Sequence, residues 1–303
     1  MAWNKKTISM IETSHTDYLR LESVLIKPVG LAFRSDDFIE KQWKELHYLN
    51  RPDLAEAIDE YKAFELLLQH QGAEILCLPE NEGLSMDSVY CRDASIATDF
   101  GMILCNMGKK ERVAEPDAQK AFFTAHNIPI LGEIKAPGTL EGGDVAWLDQ
   151  NTLAVGYTYR TNEEGISQLK NLLEPHGVQV VVVQLPHYKG VSDVFHLMSI
   201  FSPVGPQLAV VYSRLMPISF RNELLARGYE LVEVPDEEFE SMGCNVLAIS
   251  PNKCIMVEGN PITKSRLLEK GCEVHSYLGK HISVMGGGGP TCLTRPLKRV
   301  DTH

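Results

Sequence analysis

No stretch of the 303-residue chain approaches the ~18 consecutive apolar residues of a membrane-spanning helix, so no such helix is predicted. A basic excess is missing as well. Lys and Arg number 29 against 40 Asp and Glu, for a formal net charge of −11, which argues against a nucleic-acid partner. Neither CxxC nor HExxH occurs, so a zinc site has no support. The seven cysteines are an odd number for a disulfide framework; most read as small buried hydrophobes. The opening residues, MAWNKKTISMIETSH, carry two lysines but no apolar core, so no secretory leader is expected and the expected location is the cytoplasm. Low-complexity runs and Pro- or Ser-rich linkers are absent, which predicts one domain over residues 1–303. An apolar content of 44% with 23% charged residues is enough for a substantial core.

What the chain does have is recurrence. Apolar hairpin patterns begin at Ser95 (SIATDFGMILCNM), Val145 (VAWLDQNTLAVGY), Ser199 (SIFSPVGPQLAVVY) and Asn245 (NVLAISPNKCIMV), and a terminal strand, CLTRPL, begins at Cys292. The intervals are 50, 54, 46 and 47 residues. Helical patterns and a further apolar run follow each hairpin. Residues 53–71 place Leu54, Ile58, Phe64 and Leu68 at helical spacing and stop at Gly72. Thr161 followed by Glu164 reads as a capping box, with Gly177 closing that helix before VQVVVVQL. A unit of hairpin, helix and strand therefore repeats about five times, and the VLIKP strand near residue 24 is free to pair with CLTRPL and close a ring. A doubly wound open sheet is the structural competitor.

Residues fit for catalysis stand at or just before each hairpin start: Asp93, Glu141 with Asp144, His196, Cys244 with Asn245, and Cys292. Stacked or ringed repeats bring equivalent positions together. Cys292 follows four glycines in GGGGPTC, a segment that can approach a ligand closely. The GxxxxGK[ST] spacing of a phosphate loop is not met there. His196, at the entrance to an apolar strand, can take and return a proton. Glu141 and Asp144, in TLEGGDV, offer a carboxylate to orient an imidazole. Asp144 read as a turn residue is equally open. Asp87 and Asp93 form an acidic pair in DSVYCRD, where Arg92 offers Asp93 an internal ion pair. Arg160 can hold a carboxylate through two parallel hydrogen bonds. Carboxylates clamping a planar cation suit a guanidinium substrate, with the arginine at its far end.

The motifs DSVYCRD, TLEGGDV, YRTNEEGI, FHLMS and GPTCLT, in that order between Asp87 and Leu297, resemble those of the dimethylarginine dimethylaminohydrolase and amidinotransferase superfamily. The resemblance implies an α/β fold, a five-bladed propeller (pentein) of hairpin–helix–strand modules about a pseudo-five-fold axis. It implies Cys292 as nucleophile, His196 as general acid/base and Glu141 as the carboxylate that orients it. Asp87 and Asp93 are then expected at the guanidinium, Arg160 at the substrate's α-carboxylate, and Asp144 is a further candidate for substrate binding. The implied reaction is hydrolysis of arginine or a methylated arginine to citrulline and ammonia or an alkylamine. It runs through a covalent thiol adduct and needs neither metal nor organic cofactor. Two positions depart from the pattern. Arg92 stands where dimethylarginine hydrolases commonly carry an acid, and Met198 where arginine deiminases carry an aspartate. Amidino transfer and hydrolysis of a ureido compound therefore stay open. So do a non-enzymatic binding protein of the same fold, a Cys–His peptidase, and assembly as a homo-oligomer. A small guanidino compound is the expected partner. The glycine run is a candidate moving segment.

Overall fold

The computed structural model describes residues 11–301; the first ten residues of the leader reading lie outside them. Strands β1 (Ile11–Thr13), β2 (Arg20–Ile26) and β3 (Glu74–Cys77) come first, with helices α1 (Val29–Phe33), α2 (Asp36–Gln42) and α3 (Leu54–His70) between β2 and β3. Four modules follow. The first is β4 (Ser95–Ile96), β5 (Met102–Leu104), α4 (Glu115–Ala125) and β6 (Ile130–Glu133). The second is β7 (Val145–Asp149), β8 (Thr152–Tyr157), α5 (Glu163–Leu173) and β9 (Gln179–Gln184). The third is β10 (Phe201–Gly205), β11 (Leu208–Val211), α6 (Ile218–Ala226) and β12 (Glu230–Glu233), after which comes α7 (Asp236–Phe239). The fourth is β13 (Leu247–Ser250), β14 (Lys253–Val257), α8 (Pro261–Glu269) and β15 (Glu273–Tyr277), and β16 (Thr294–Asp301) ends the chain.

These strands form five separate sheets, which rules out a single open doubly wound sheet. In each three-stranded sheet the first two strands are an antiparallel hairpin, and the third returns through a helix to pair parallel with the second. The expected pairing of the two chain ends is present: β16 lies antiparallel to β2, Leu25 opposite Arg295. β3 then pairs parallel with β2 and β1 antiparallel with β16, completing the four-stranded sheet β1-β16-β2-β3.

Local sequence explains the elements. Asp53 caps α3, its Oδ1 accepting Glu56 N–H at 3.0 Å. Ala57, Tyr61, Phe64 and Leu68 form the buried face of that helix. Phe64 stacks at a tilt on Tyr277 of β15, centroids 4.9 Å apart. The α5 cap is one residue later than predicted: Asn162 Oδ1 accepts Gly165 N–H at 2.8 Å. Thr161 is diverted to a buried carboxylate near the active-site cavity.

Apolar contacts are shared between sheets. Phe201, Val210 and Val232 of the third module pack with Ala146 and Ala154 of the second and with Cys254 and Met256 of the fourth. Buried polar ties also cross between modules: Ser202 Oγ donates to Cys244 O at 2.7 Å, and Trp147 N–H ties the second module to the β1–β2 segment through Asp17 Oδ2 at 2.7 Å. Residues from the turns ahead of β4, β10, β13 and β16 line one cavity. No helix among the described residues is long and apolar enough to cross a membrane.

Phe64→Ala leaves a void between α3 and β15 and is expected to lower stability by about 3–5 kcal/mol. Asp53→Ala, which removes one cap bond, is expected to cost about 1 kcal/mol. Urea unfolding monitored by circular dichroism would measure both; equal losses would contradict this account of the helix.

Candidate active site

A cavity of about 290 Å³ is lined by Asp87, Asp93, Arg160, His196 and Cys292, so five of the seven expected site residues open onto one space. Cys292 lies in the turn leading into β16, where its N–H donates to Gly289 O at 3.0 Å. It is partly exposed; of the other six cysteines, five are buried, as read from the sequence, and Cys77 is exposed. Burial of the thiol and the nearby charge of Asp93 push its pKa up, against the pull of Asn245, Thr291 and Arg92.

Asn245, which had no assigned role, fastens this turn. Its Oδ1 accepts Thr291 N–H at 3.0 Å and the Thr291 hydroxyl at 2.8 Å, while Nδ2 donates to Cys292 Sγ at 3.3 Å. The glycines before the thiol serve close packing: a Cβ at Gly286 would come within 2.0 Å of Tyr90 Oη, and one at Gly289 within 2.6 Å of Asn245. Close packing thus gives the run, a candidate moving segment by sequence, a second reason for its glycines.

His196, just ahead of β10, is buried, and its Nε2 lies 2.8 Å from Glu141 Oε2, which comes from the turn ahead of β7. Glu141 is wholly buried behind the cavity wall and uses its other oxygen to accept Lys109 N–H at 3.0 Å, with Arg160 Nη1 at 3.5 Å. Burial opposes charge on both partners. For Glu141 it is outweighed by the hydrogen bond and charge of His196, then by Arg160 and Arg112, and the pKa falls to about 2. For His196 it is outweighed by Asp144, Asp93 and Glu141, and the pKa rises to about 9. At neutral pH the two form an imidazolium–carboxylate pair. Gly143 permits the pair, because a Cβ there would fall 2.4 Å from His196 Nδ1.

Asp144 was expected to touch substrate and is not among the cavity-lining residues. Both of its oxygens are occupied: Oδ2 accepts from the hydroxyls of Thr158 at 2.7 Å and Thr161 at 2.6 Å, and Oδ1 from Leu197 N–H at 3.0 Å. It therefore braces the residue after His196 and the turn that carries Arg160. Burial pushes its own pKa to about 6.

Arg92 also departs from expectation. Its guanidinium pairs with Asp17 at 2.8 Å, outside the cavity lining. The cations at the clamp are residues the sequence reading passed over. Lys109 Nζ donates to Asp87 Oδ2 at 2.6 Å, and Arg112 Nη1 to Asp93 Oδ2 at 2.5 Å. Arg112 is held in turn by a bidentate pair with Glu115 at 2.8 and 2.7 Å. Their signal was positional: GKKER follows the hairpin at Ser95 just as YRTNEE follows the hairpin at Val145. The second oxygen of Asp93, Oδ1, has no hydrogen-bond partner among the described residues and lies 3.9 Å from His196 Nδ1. Met198 is buried and reaches the lining.

Asp93, Glu141 and His196 offer ligand atoms within 4.8 Å of one another, a spacing that could hold a metal ion. Those atoms are already engaged with one another, with Arg112 and with Arg160, so an ion would have to displace charge-assisted bonds. The arrangement suits proton transfer beside a thiol: an imidazole in a carboxylate's grip, a buried acid with one oxygen free of hydrogen bonds, and an arginine in the lining.

A family model described as N,N dimethylarginine dimethylhydrolase, eukaryotic, matches residues 27–299. Among curated proteins, the Pseudomonas aeruginosa N(G),N(G)-dimethylarginine dimethylaminohydrolase is 27% identical over 75% of this chain and 83% of its own. The Bacillus subtilis protein YkgA is 28% identical over 94% of both chains. An arginine deiminase of Listeria welshimeri is 26% identical over 58% of this chain and 51% of its own. Solved structures share the fold. The P. aeruginosa enzyme, as a cysteine-to-serine mutant complexed with citrulline, superposes with a TM-score of 0.75 at 22% identity, covering 92% of this chain and 100% of that one. The N-terminal domain of ArgZ, an arginine dihydrolase from cyanobacteria, does so at 0.76 and 19% identity over 90% and 97%.

Two outcomes follow from the geometry. Gly143→Ala, by displacing His196, is expected to reduce any activity that needs the imidazole by about 10²-fold or more; retention of full turnover would contradict the placement. The raised thiol pKa means that iodoacetamide labelling of Cys292 should keep accelerating from pH 7 to above pH 9. Asp93→Asn removes the opposing charge and should shift that profile down, whereas Asn245→Ala removes a bond to sulfur and should shift it up. Mass spectrometry of the labelled peptide reads both directions.

Proposed function

This chain belongs to the N,N-dimethylarginine dimethylhydrolase family, within the amidinotransferase superfamily, and from that premise we propose that it hydrolyses the guanidino C–N bond of arginine or a methylated arginine. The observation that carries the reading is the shared cavity of Cys292, His196 and Asp93, with Glu141 at 2.8 Å behind the imidazole. On this reading the five sheets are blades about a pseudo-five-fold axis, and equivalent blade ends deliver the reactive groups.

The free enzyme holds Cys292 as a thiol, because burial and Asp93 disfavour its anion. A guanidinium bound beside Asp93 supplies the missing positive charge, and the thiol loses its proton to solvent. The thiolate forms a C–S bond to the guanidinium carbon. His196, already imidazolium, gives its proton to the departing nitrogen, and the C–N bond breaks to release ammonia or an alkylamine. The now neutral imidazole takes a proton from water as its oxygen bonds to the carbon. The C–S bond then breaks, the thiolate departs, and the remaining hydroxyl proton is lost as the ureido carbonyl forms. Glu141 stabilises the imidazolium at each stage, and Arg160 takes the substrate carboxylate.

A second reading has its own support. Lys109 and Arg112 already neutralise one oxygen each of Asp87 and Asp93, so the clamp also suits a neutral ureido group such as that of citrulline.

Supplied together, arginine, monomethylarginine, asymmetric dimethylarginine and citrulline would compete in one mass-spectrometric assay. Release of citrulline with ammonia or alkylamine is expected. Cys292→Ser should abolish it, and His196→Asn should slow it by about 10²–10⁴-fold. Consumption of citrulline alone would favour the second reading. If no compound turns over and no adduct forms on Cys292, the enzymatic reading fails.

A further inference from the structure

Outside the active-site cavity lies a second group of buried charges. Arg92, Arg295 and Arg299 are 2%, 5% and 1% exposed. The carboxylate set among them is Asp17, which accepts from Arg92 Nη2 at 2.8 Å and from Trp147 N–H at 2.7 Å. Arg295 Nη1 donates to Ser95 O at 2.6 Å and Arg299 Nη2 to Ala248 O at 3.0 Å. The Nε–H groups of all three arginines have no acceptor among the described residues.

Three guanidiniums against one carboxylate leave two positive charges in excess. An arginine cannot relieve burial by losing its proton at neutral pH. Burial and the repulsion of Arg92 lower Arg295 only to about 9, and burial lowers Arg299 to about 10. Residues 1–10 contain no Asp or Glu that could supply the balance. Buried charge without a counter-charge is strongly unfavourable.

Arg295, Arg299 and Asp17 line a small cavity of about 10 Å³ together with Ser14, Thr16 and Lys298. Of these, Lys298 is paired with Glu12 near the surface, and Ser14 Oγ donates to Leu297 O at 2.7 Å. Thr16 Oγ1 accepts two backbone N–H groups at 3.3 and 3.4 Å, which leaves its own O–H free to donate. Such a space holds about one water-sized particle; phosphate or sulfate would not fit. We propose that this cavity is a binding site for a single small anion of the halide class, held by Arg295, Arg299 and the Thr16 hydroxyl. The ion offsets the excess charge where β2, β16 and the neighbouring sheets meet.

Full-length protein prepared in sodium gluconate and titrated with sodium chloride or bromide at constant ionic strength tests this. A saturating rise in melting temperature of about 2–4 °C is expected. Crystals grown in bromide should show an anomalous peak between Arg295 and Arg299. Arg299→Met, if it folds, should lose the halide response while keeping the gluconate baseline or raising it. Water alone at the site in bromide crystals overturns the proposal, as does an equal rise with sulfate or gluconate. Because the readouts are thermal and crystallographic, failure here leaves the guanidino-hydrolase reading standing, and failure of that reading leaves this one.

Discussion

The hydrogen bond between His196 and Glu141 is the contact on which the rest of the site depends. Its partners come from turns ahead of two different sheets and are buried almost completely. Taking either charge out of water alone would be costly, and a buried pair is favourable only when its remaining lone pairs are also met. The fold meets them one by one. Lys109 N–H and Arg160 serve the second oxygen of Glu141, Asp144 fixes the backbone after the histidine, and Gly143 leaves room for the ring. Apolar packing shared between neighbouring sheets keeps water from competing. The result is an imidazole whose pKa is raised and a thiol whose pKa is raised as well, so the resting pair differs from a thiolate–imidazolium couple in its unionised sulfur.

This charge arrangement has consequences for what the cavity can accept. Asp87, Asp93 and Glu141 face Lys109, Arg112, Arg160 and the imidazolium. Those are three anions and four cations, and Lys189, Asp193 and Glu240 also line the cavity, so the formal charges balance and net charge selects little. Selection has to come from where single atoms stand open. Asp93 Oδ1 is such an atom: it makes no hydrogen bond among the described residues, with His196 Nδ1 at 3.9 Å, and the charge of Asp93 raises the thiol pKa. On the proposed reading, a planar N–H donor at that oxygen completes the pairing and eases loss of the thiol proton in the same step. Binding and activation are then one electrostatic event.

Much of this was legible in the residues, and the reasons for the gaps are physical. Hairpin periodicity located five sheets because each module repeats a pair of short, almost wholly buried apolar strands, and the chain ends pair as VLIKP and CLTRPL suggested. His196, Glu141 and Cys292 stood out because their types are rare at the mouth of an apolar strand. For Asp144 the sequence left a turn role and a substrate role equally open, because its partners, Thr158, Thr161 and Leu197 N–H, lie up to 53 residues away. For the same reason Thr161 was taken for a helix cap that Asn162 provides. Arg92 looked like part of the clamp because it is adjacent to Asp93, yet the two lie in a turn ahead of β4 and take different partners, Asp93 meeting Arg112. The Arg92 guanidinium meets Asp17 instead.

The repeat also accounts for what was missed, once it is read at two positions rather than one. Asp93, Glu141, His196, Asn245 and Cys292 stand ahead of the first strand of a module, and these supply the acids, the imidazole, the amide and the thiol. Lys109, Arg112 and Arg160 stand after the second strand, and these supply the fixed cations. A hairpin returns its chain to the edge where it began, so both positions of one module face the same end of the sheet. Each acid can therefore find its counter-charge within its own module or the next: Asp93 with Arg112, Glu141 with Arg160. The third and fourth modules lack such a reach, since Arg214 pairs at the surface with Asp236 and the segment after β14 carries Glu258. The position after the second strand therefore supplies the cavity with no cation from the third or fourth module. That asymmetry, rather than the presence of any single residue, leaves room for a substrate to bring the positive charge itself.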